Sequence, residues 1–173
     1  MFLVRWFPRK VQVFQVLNTY IIDGFKLAIT VGAVLIGFVA LITFLNNGFD
    51  ALFGVTFVHL IGYVFSPIAL LMGVPYADVV SVGGIMATKL ITNEFVAMGL
   101  LQDISGSLSL KSQAILSVYL VSFANFGALG IVSGSLKSIN EKSGYCVAKF
   151  SLRLILGATL ASVISGSIVG IYF

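Results

Sequence analysis

The stretch "ATKLITNEFVAM", residues 87–98, sets a lysine, an asparagine and a glutamate into an otherwise apolar sequence. A carboxylate at membrane depth costs a few kcal/mol even on lenient insertion scales, so an acid kept there is functional by default. Glu94 can accept hydrogen bonds from a polar solute. Asn93 can cap a helix that begins beside it or serve as a ligand group. Lys89 precedes Glu94 by five positions, about 140° apart on an ideal helix, so the two do not pair within one helix. Its long stem can snorkel or reach a group on another element. A second polar point lies in "SFANFG", residues 122–127, where Asn125 stands between Phe123 and Phe126. An amide can both give and take hydrogen bonds, whereas the two phenylalanines read, as bare sequence, as packed or lipid-facing rings. The chemistry these types suggest is reversible binding of a polar solute. There is no GxSxG, HExxH or CxxC pattern and no phosphate loop, so nothing points to an enzyme, a metal site or a bound cofactor.

The elements that must position these residues are membrane elements. The composition is 59% hydrophobic and only 9% charged, where a soluble domain carries roughly a quarter charged residues. The formal net charge of +4 is spread along the flanks of oily runs, which fits membrane orientation and a lipid bilayer partner better than nucleic acid. The single Cys146 excludes an intrachain disulfide and is expected as a small buried hydrophobe. The N-terminus, although basic, lacks the short apolar core and small-residue cleavage site of a signal peptide.

Two charge-free runs, residues 27–49 and 154–173, are long enough to span as helices. A third, residues 112–136, carries polar residues at its centre. Arg5, Arg9, Lys10 and Lys26 precede the first run, and Lys137, Lys142, Lys149 and Arg153 precede the last. The positive-inside rule puts both groups in the cytoplasm, and with them the N-terminus, leaving the C-terminus outside. The chain between must then cross once and return. Residues 50–66 read as an interfacial helix around His59, stopped by Pro67. Residues 67–104 read as a re-entrant helical hairpin with its tip near Thr92, Asn93 and Glu94. The third run is expected to break near residues 124–127, because Asn, Phe and Gly there make a poor helix and irregular backbone at depth needs protein or a wet cavity around it. The expected fold is therefore an all-α membrane protein with about three transmembrane helices, one of them broken, an interfacial helix and one re-entrant hairpin. Its segments are residues 1–19 (cytoplasmic, basic), 20–49 (first span), 50–66, 67–104, 111–136 (broken span), 137–153 (cytoplasmic basic loop) and 154–173 (last span). A hairpin tip and a broken helix meeting at depth present free backbone groups to a solute.

"ATKLITNEFVAM" resembles the [GA]-x-K-x3-N-E-F-V-A-[YMF] pattern of the concentrative nucleoside transporters. "SFANFGALGI", residues 122–131, is similar to the family's G-F-A-N-[FL]-S-S-[IL]-[GA]-I stretch. The likeness covers nearly the whole chain but only the C-terminal half of the family pattern, whose members are built from two inverted halves. It implies that Glu94 and Asn125 bind ribose hydroxyls and that Phe123 lines the base, with Asn93 and Ala128 beside them. Ala128 stands where the family has a second serine that contributes to ribose binding, so a hydrogen bond worth about 0.5–1.5 kcal/mol is expected to be missing. Ser122 stands where a glycine is usual. The resemblance further implies nucleoside symport with Na+ or H+ across the plasma (inner) membrane, a homotrimer, and a cation site mostly in an N-terminal half that would act as partner. The alternative is a degenerate or truncated, non-transporting remnant or assembly partner that keeps the fold.

Overall fold

A computed structural model describes residues 13–173 of the chain, and within them every regular element is helical. Arg5, Arg9 and Lys10, the cations expected to hold the N-terminus in the cytoplasm, lie outside the described residues. The chain divides into two compact units, residues 1–37 and 38–173. The described part of the first is the leading portion of helix α1, Val13–Phe53. At 41 residues and 1.5 Å per residue this helix is about 60 Å long, twice a hydrocarbon core. Ile36 and Phe44 are exposed on it, which suits a helix solvated by lipid, while Ile42 is buried.

In the second unit α1 is followed by α2 (Phe57–Leu71), α3 (Val79–Ile91), α4 (Glu94–Ile104), a short 3-10 turn (Ser105–Ser107), α5 (Leu110–Leu120), α6 (Phe126–Ile139) and α7 (Glu141–Tyr172). α3 is the central element, with every residue from Val82 to Lys89 buried. It meets α2 through glycines. A Cβ on Gly83 would lie 2.5 Å from the Gly62 carbonyl oxygen, and one on Gly84 would lie 2.6 Å from that of Val58. Small residues let two backbones approach where lipid supplies no hydrophobic drive. Met72, Val82, Ile85, Met86, Ile115 and Tyr119 form the core between α3, α5 and the end of α2. Gly166 and Gly170 bring α7 against Met72 and Ile115.

Several expected boundaries move. Pro67 does not stop α2, which runs on to Leu71. Proline leaves the Tyr63 carbonyl, one turn back, without its donor, but packing on α3 outweighs that loss. The turn comes at Gly73, whose φ of +87° is left-handed. The surface-helix segment 50–66 is thus divided between the end of α1 and α2, and the hairpin begins at Val79 instead of residue 67. Residues 137–153, expected as a loop, are helical except for Asn140, which ends α6 and caps α7 through Ser143 N–H at 3.3 Å. Lysines interspersed with good helix formers give a helix no reason to stop there. Cys146 is exposed on α7, because that turn of the helix is outside the core. The break in the third run covers residues 121–125, overlapping the expected 124–127 and beginning three residues earlier.

Candidate functional site

The tip of the α3–α4 hairpin is Thr92 and Asn93. Thr92 is fully buried, and its hydroxyl returns to the Thr88 carbonyl at 2.7 Å. Asn93 is the N-cap of α4, its Oδ1 accepting from Val96 N–H at 3.0 Å. That bond satisfies one of the free donors of the first turn and places Glu94 as the first residue of α4. Asn125 does the same for α6, its Oδ1 accepting from Ala128 N–H at 2.6 Å. The amide group of Asn125 is then turned across to the hairpin, where Nδ2 donates to Glu94 Oε2 at 2.8 Å.

Two helix N-termini therefore converge on one carboxylate. Their free N–H groups and dipoles favour negative charge, which offsets part of the cost of holding Glu94 at 7% exposure. Glu94 Oε1 makes no hydrogen bond to the protein among the described residues, so one oxygen is tied and the other can accept from a solute. The approach is tight: a Cβ on Gly127 would stand 3.2 Å from both the Thr92 carbonyl oxygen and Asn125 Oδ1.

Of the residues expected to act together, Glu94, Asn125 and Ala128 are joined by this chain of bonds. Asn93 is engaged as a cap, and Phe123 stands apart. Phe123 lies in the break, 73% exposed, on the wall of a cleft of about 360 Å³ that Ser122, Ala158, Ser162 and Ser165 also line. His59 is exposed and shares a 3.3 Å hydrogen bond with Tyr63.

Two charged groups find partners that the sequence did not name. Lys89 is 0% exposed. Its Nζ donates to the Tyr119 carbonyl at 2.7 Å and to Ser122 Oγ at 2.6 Å, and it sits 4.3 Å from the Tyr119 ring centroid. Asp78, in the turn before α3 and outside the spanning helices, accepts from Ser109 N–H (3.1 Å), Ser109 Oγ (2.7 Å) and Ser112 Oγ (2.6 Å) through one oxygen. Burial works to raise its carboxyl, but the hydrogen bonds from Ser112 and Ser109 prevail and hold it below the ordinary value. Asp78 thereby fastens the base of the hairpin to the N-terminus of α5, where a negative charge is favoured. The signal available for both was a charge in a nearly chargeless chain.

Residues 8–170 match the family model described as Na+-dependent nucleoside transporter C-terminus. The uncharacterized transporter YutK of Bacillus subtilis is 38% identical over 155 residues, covering 86% of this chain and 38% of that protein. The purine nucleoside transport protein NupG of the same organism is 35% identical over 167 residues, covering 94% of this chain and 42% of its own length. A solved structure of CNTnw in an inward-facing substrate-bound state superposes with a TM-score of 0.81 at 29% identity, over 94% of this chain and 41% of that one. The chain spans about two fifths of the length of the relatives it matches.

Proposed function

Because the chain belongs to the Na+-dependent, concentrative family of nucleoside transporters, we propose that it supplies the ribose-binding half of a nucleoside site in a cation-coupled symporter. The family is one of membrane transporters and not of enzymes, and α1 and α7 are long and apolar enough to cross a bilayer. The observation that carries the reading is the Glu94–Asn125 pair at 2.8 Å, with one carboxylate oxygen left to accept. A vicinal diol brings two O–H groups that can each donate and accept. A carboxylate takes the first, and an amide held against it can give to and take from the second. Phe123, exposed in the break two positions before Asn125, is the surface on which a nucleobase would rest, and Asn93 and Ala128 border the sugar.

In this reading α3 and α4 form a re-entrant hairpin, and the coupling ion is Na+ or H+. The site is completed by an N-terminal half carrying the second hairpin, in a homotrimer in the plasma (inner) membrane with the N-terminus cytoplasmic and the C-terminus outside. The test is uridine uptake by cells making this chain together with such a half. Glu94→Gln keeps the volume and removes charge and acceptor strength. Charge-assisted hydrogen bonds are worth about 1.5–3 kcal/mol, so uptake efficiency should fall about ten- to hundredfold. Unchanged uptake by Glu94→Gln would reject the sugar contact, and no uptake by the parent with its partner half would favour a non-transporting chain.

A further inference from the structure

We propose that Lys89 is a positioning residue of the solute site. It closes the C-terminal end of α5 while Glu94, from the same hairpin, meets the N-terminal start of α6 through Asn125, so that one hairpin sets both edges of the break that presents Asn125. The proposal rests on the reading of Glu94 and Asn125 as the sugar-binding pair.

A helix ends with carbonyls that have no intrahelical partner, and the negative end of its dipole favours a cation. In α5 the C-cap residue Val121 makes no backbone capping bond. The group that reaches this end comes from another element: Lys89 Nζ donates to the Tyr119 carbonyl. A buried ammonium is costly unless its protons are taken up. Here two acceptors and the face of the Tyr119 ring receive it, and no carboxylate lies within ion-pair distance of Lys89 among the described residues.

The order of charges on the hairpin matches the order of dipole ends along the broken run. Lys89 precedes Glu94 by five residues, and the break between α5 and α6 is the five residues 121–125. The cation meets the negative end of the first half and the carboxylate meets the positive end of the second. The bond network also continues to α7. Ser122 Oγ lies 2.5 Å from Ser162 Oγ, and Ser162 Oγ donates to the Ala158 carbonyl at 2.9 Å. The break is therefore held from α3 on one side and α7 on the other, and Asn125 stands at its end.

The experiment is uridine uptake kinetics of Lys89→Met, alone and combined with Glu94→Gln, in the transporter assembled with its complementary half. Methionine fills much of the stem volume without the ammonium. The expected result for Lys89→Met is a KM raised about tenfold, the ratio that 1.4 kcal/mol represents, with the maximal rate per transporter at the surface within about twofold of the parent. In the Glu94→Gln background the same substitution should change KM by less than about twofold, because the pair it positions is already broken. An unchanged KM with only lower protein or rate overturns the proposal, as does a full tenfold effect on top of Glu94→Gln. A Glu94→Gln single variant with parental KM removes the sugar reading itself, and the proposal falls with it.

If Lys89→Met does not reach the membrane, Lys89→Gln, which keeps a shorter donor, is measured in the same way. Amide hydrogen exchange of the purified variant then adds a local readout. Ala128 and Leu129, whose N–H groups are held by Asn125, should exchange faster while residues 82–86 stay protected, and equal acceleration in both segments overturns the proposal.

Discussion

Asn125 joins the two halves of the candidate site with the two ends of one amide, so substitutions there can separate its duties. Oδ1 caps α6 through Ala128 N–H at 2.6 Å, and Nδ2 donates to Glu94 at 2.8 Å. Asn125→Ala removes both. Loss of an N-cap costs about 1 kcal/mol, and loss of a hydrogen bond to a charged group costs about 1.5–3 kcal/mol, so the alanine variant should lose about 2.5–4 kcal/mol in the organisation of the site. Asn125→Ser keeps a capping oxygen and should lose only the second part. Two assays resolve the difference. In thermal unfolding of the purified chain the alanine variant should melt below the serine variant by the cap alone, about 2–4 °C for a chain of this size. In uridine binding both variants should be weaker than the parent by about tenfold or more, since neither can donate to Glu94. Parental affinity in Asn125→Ser would refute the role of the Nδ2 contact. Identical melting of the two variants would refute the cap.

Three further outcomes follow from the same geometry. Gly84→Val forces a branched side chain against the Val58 carbonyl, where even a Cβ would be 2.6 Å away; overpacking of this kind costs about 1–3 kcal/mol or more, and a lower melting temperature with poor recovery should report it. Asp78 has a carboxyl held below its ordinary value of 3.8, so its contribution to stability should be complete above that pH and disappear as pH falls through the lower native value; Asp78→Asn should melt lower at neutral pH and lose this acid dependence in melting curves from pH 7 to pH 3. Ala128→Ser adds a hydroxyl beside the Glu94–Asn125 pair, and on the proposed reading uridine affinity should rise by up to about tenfold; unchanged affinity would separate residue 128 from the sugar.

The hairpin tip was legible because caps act locally. An Asn ahead of an apolar run announces a helix start whatever surrounds it, and Asn93 and Asn125 both serve as caps. The end of α2 was not legible, because proline's penalty is a local quantity and its cancellation by packing on α3 is not. The helical character of residues 137–153 was missed for a related reason: a cluster of lysines marks orientation, which says nothing against helix. Lys89 was recognised as an oddity, but its acceptors are a carbonyl 30 residues away and a serine 33 residues away, beyond any pattern of i to i+4 neighbours. Asp78 has the same character, with its nearest hydroxyl 34 residues on.

Composition and pattern by themselves determined that the chain is a helical membrane protein, where the tip of its hairpin lies, and which two motifs bind it to its family, since hydropathy and capping act within a few residues. Only the tertiary structure decided that Glu94 and Asn125, 31 positions apart, share one hydrogen bond, and that Lys89 closes the opposite side of the same break. The physical reason is that buried charges are stabilised by whatever polar groups the packing of helices brings to them, and the glycine contacts that set that packing carry no direction in the sequence.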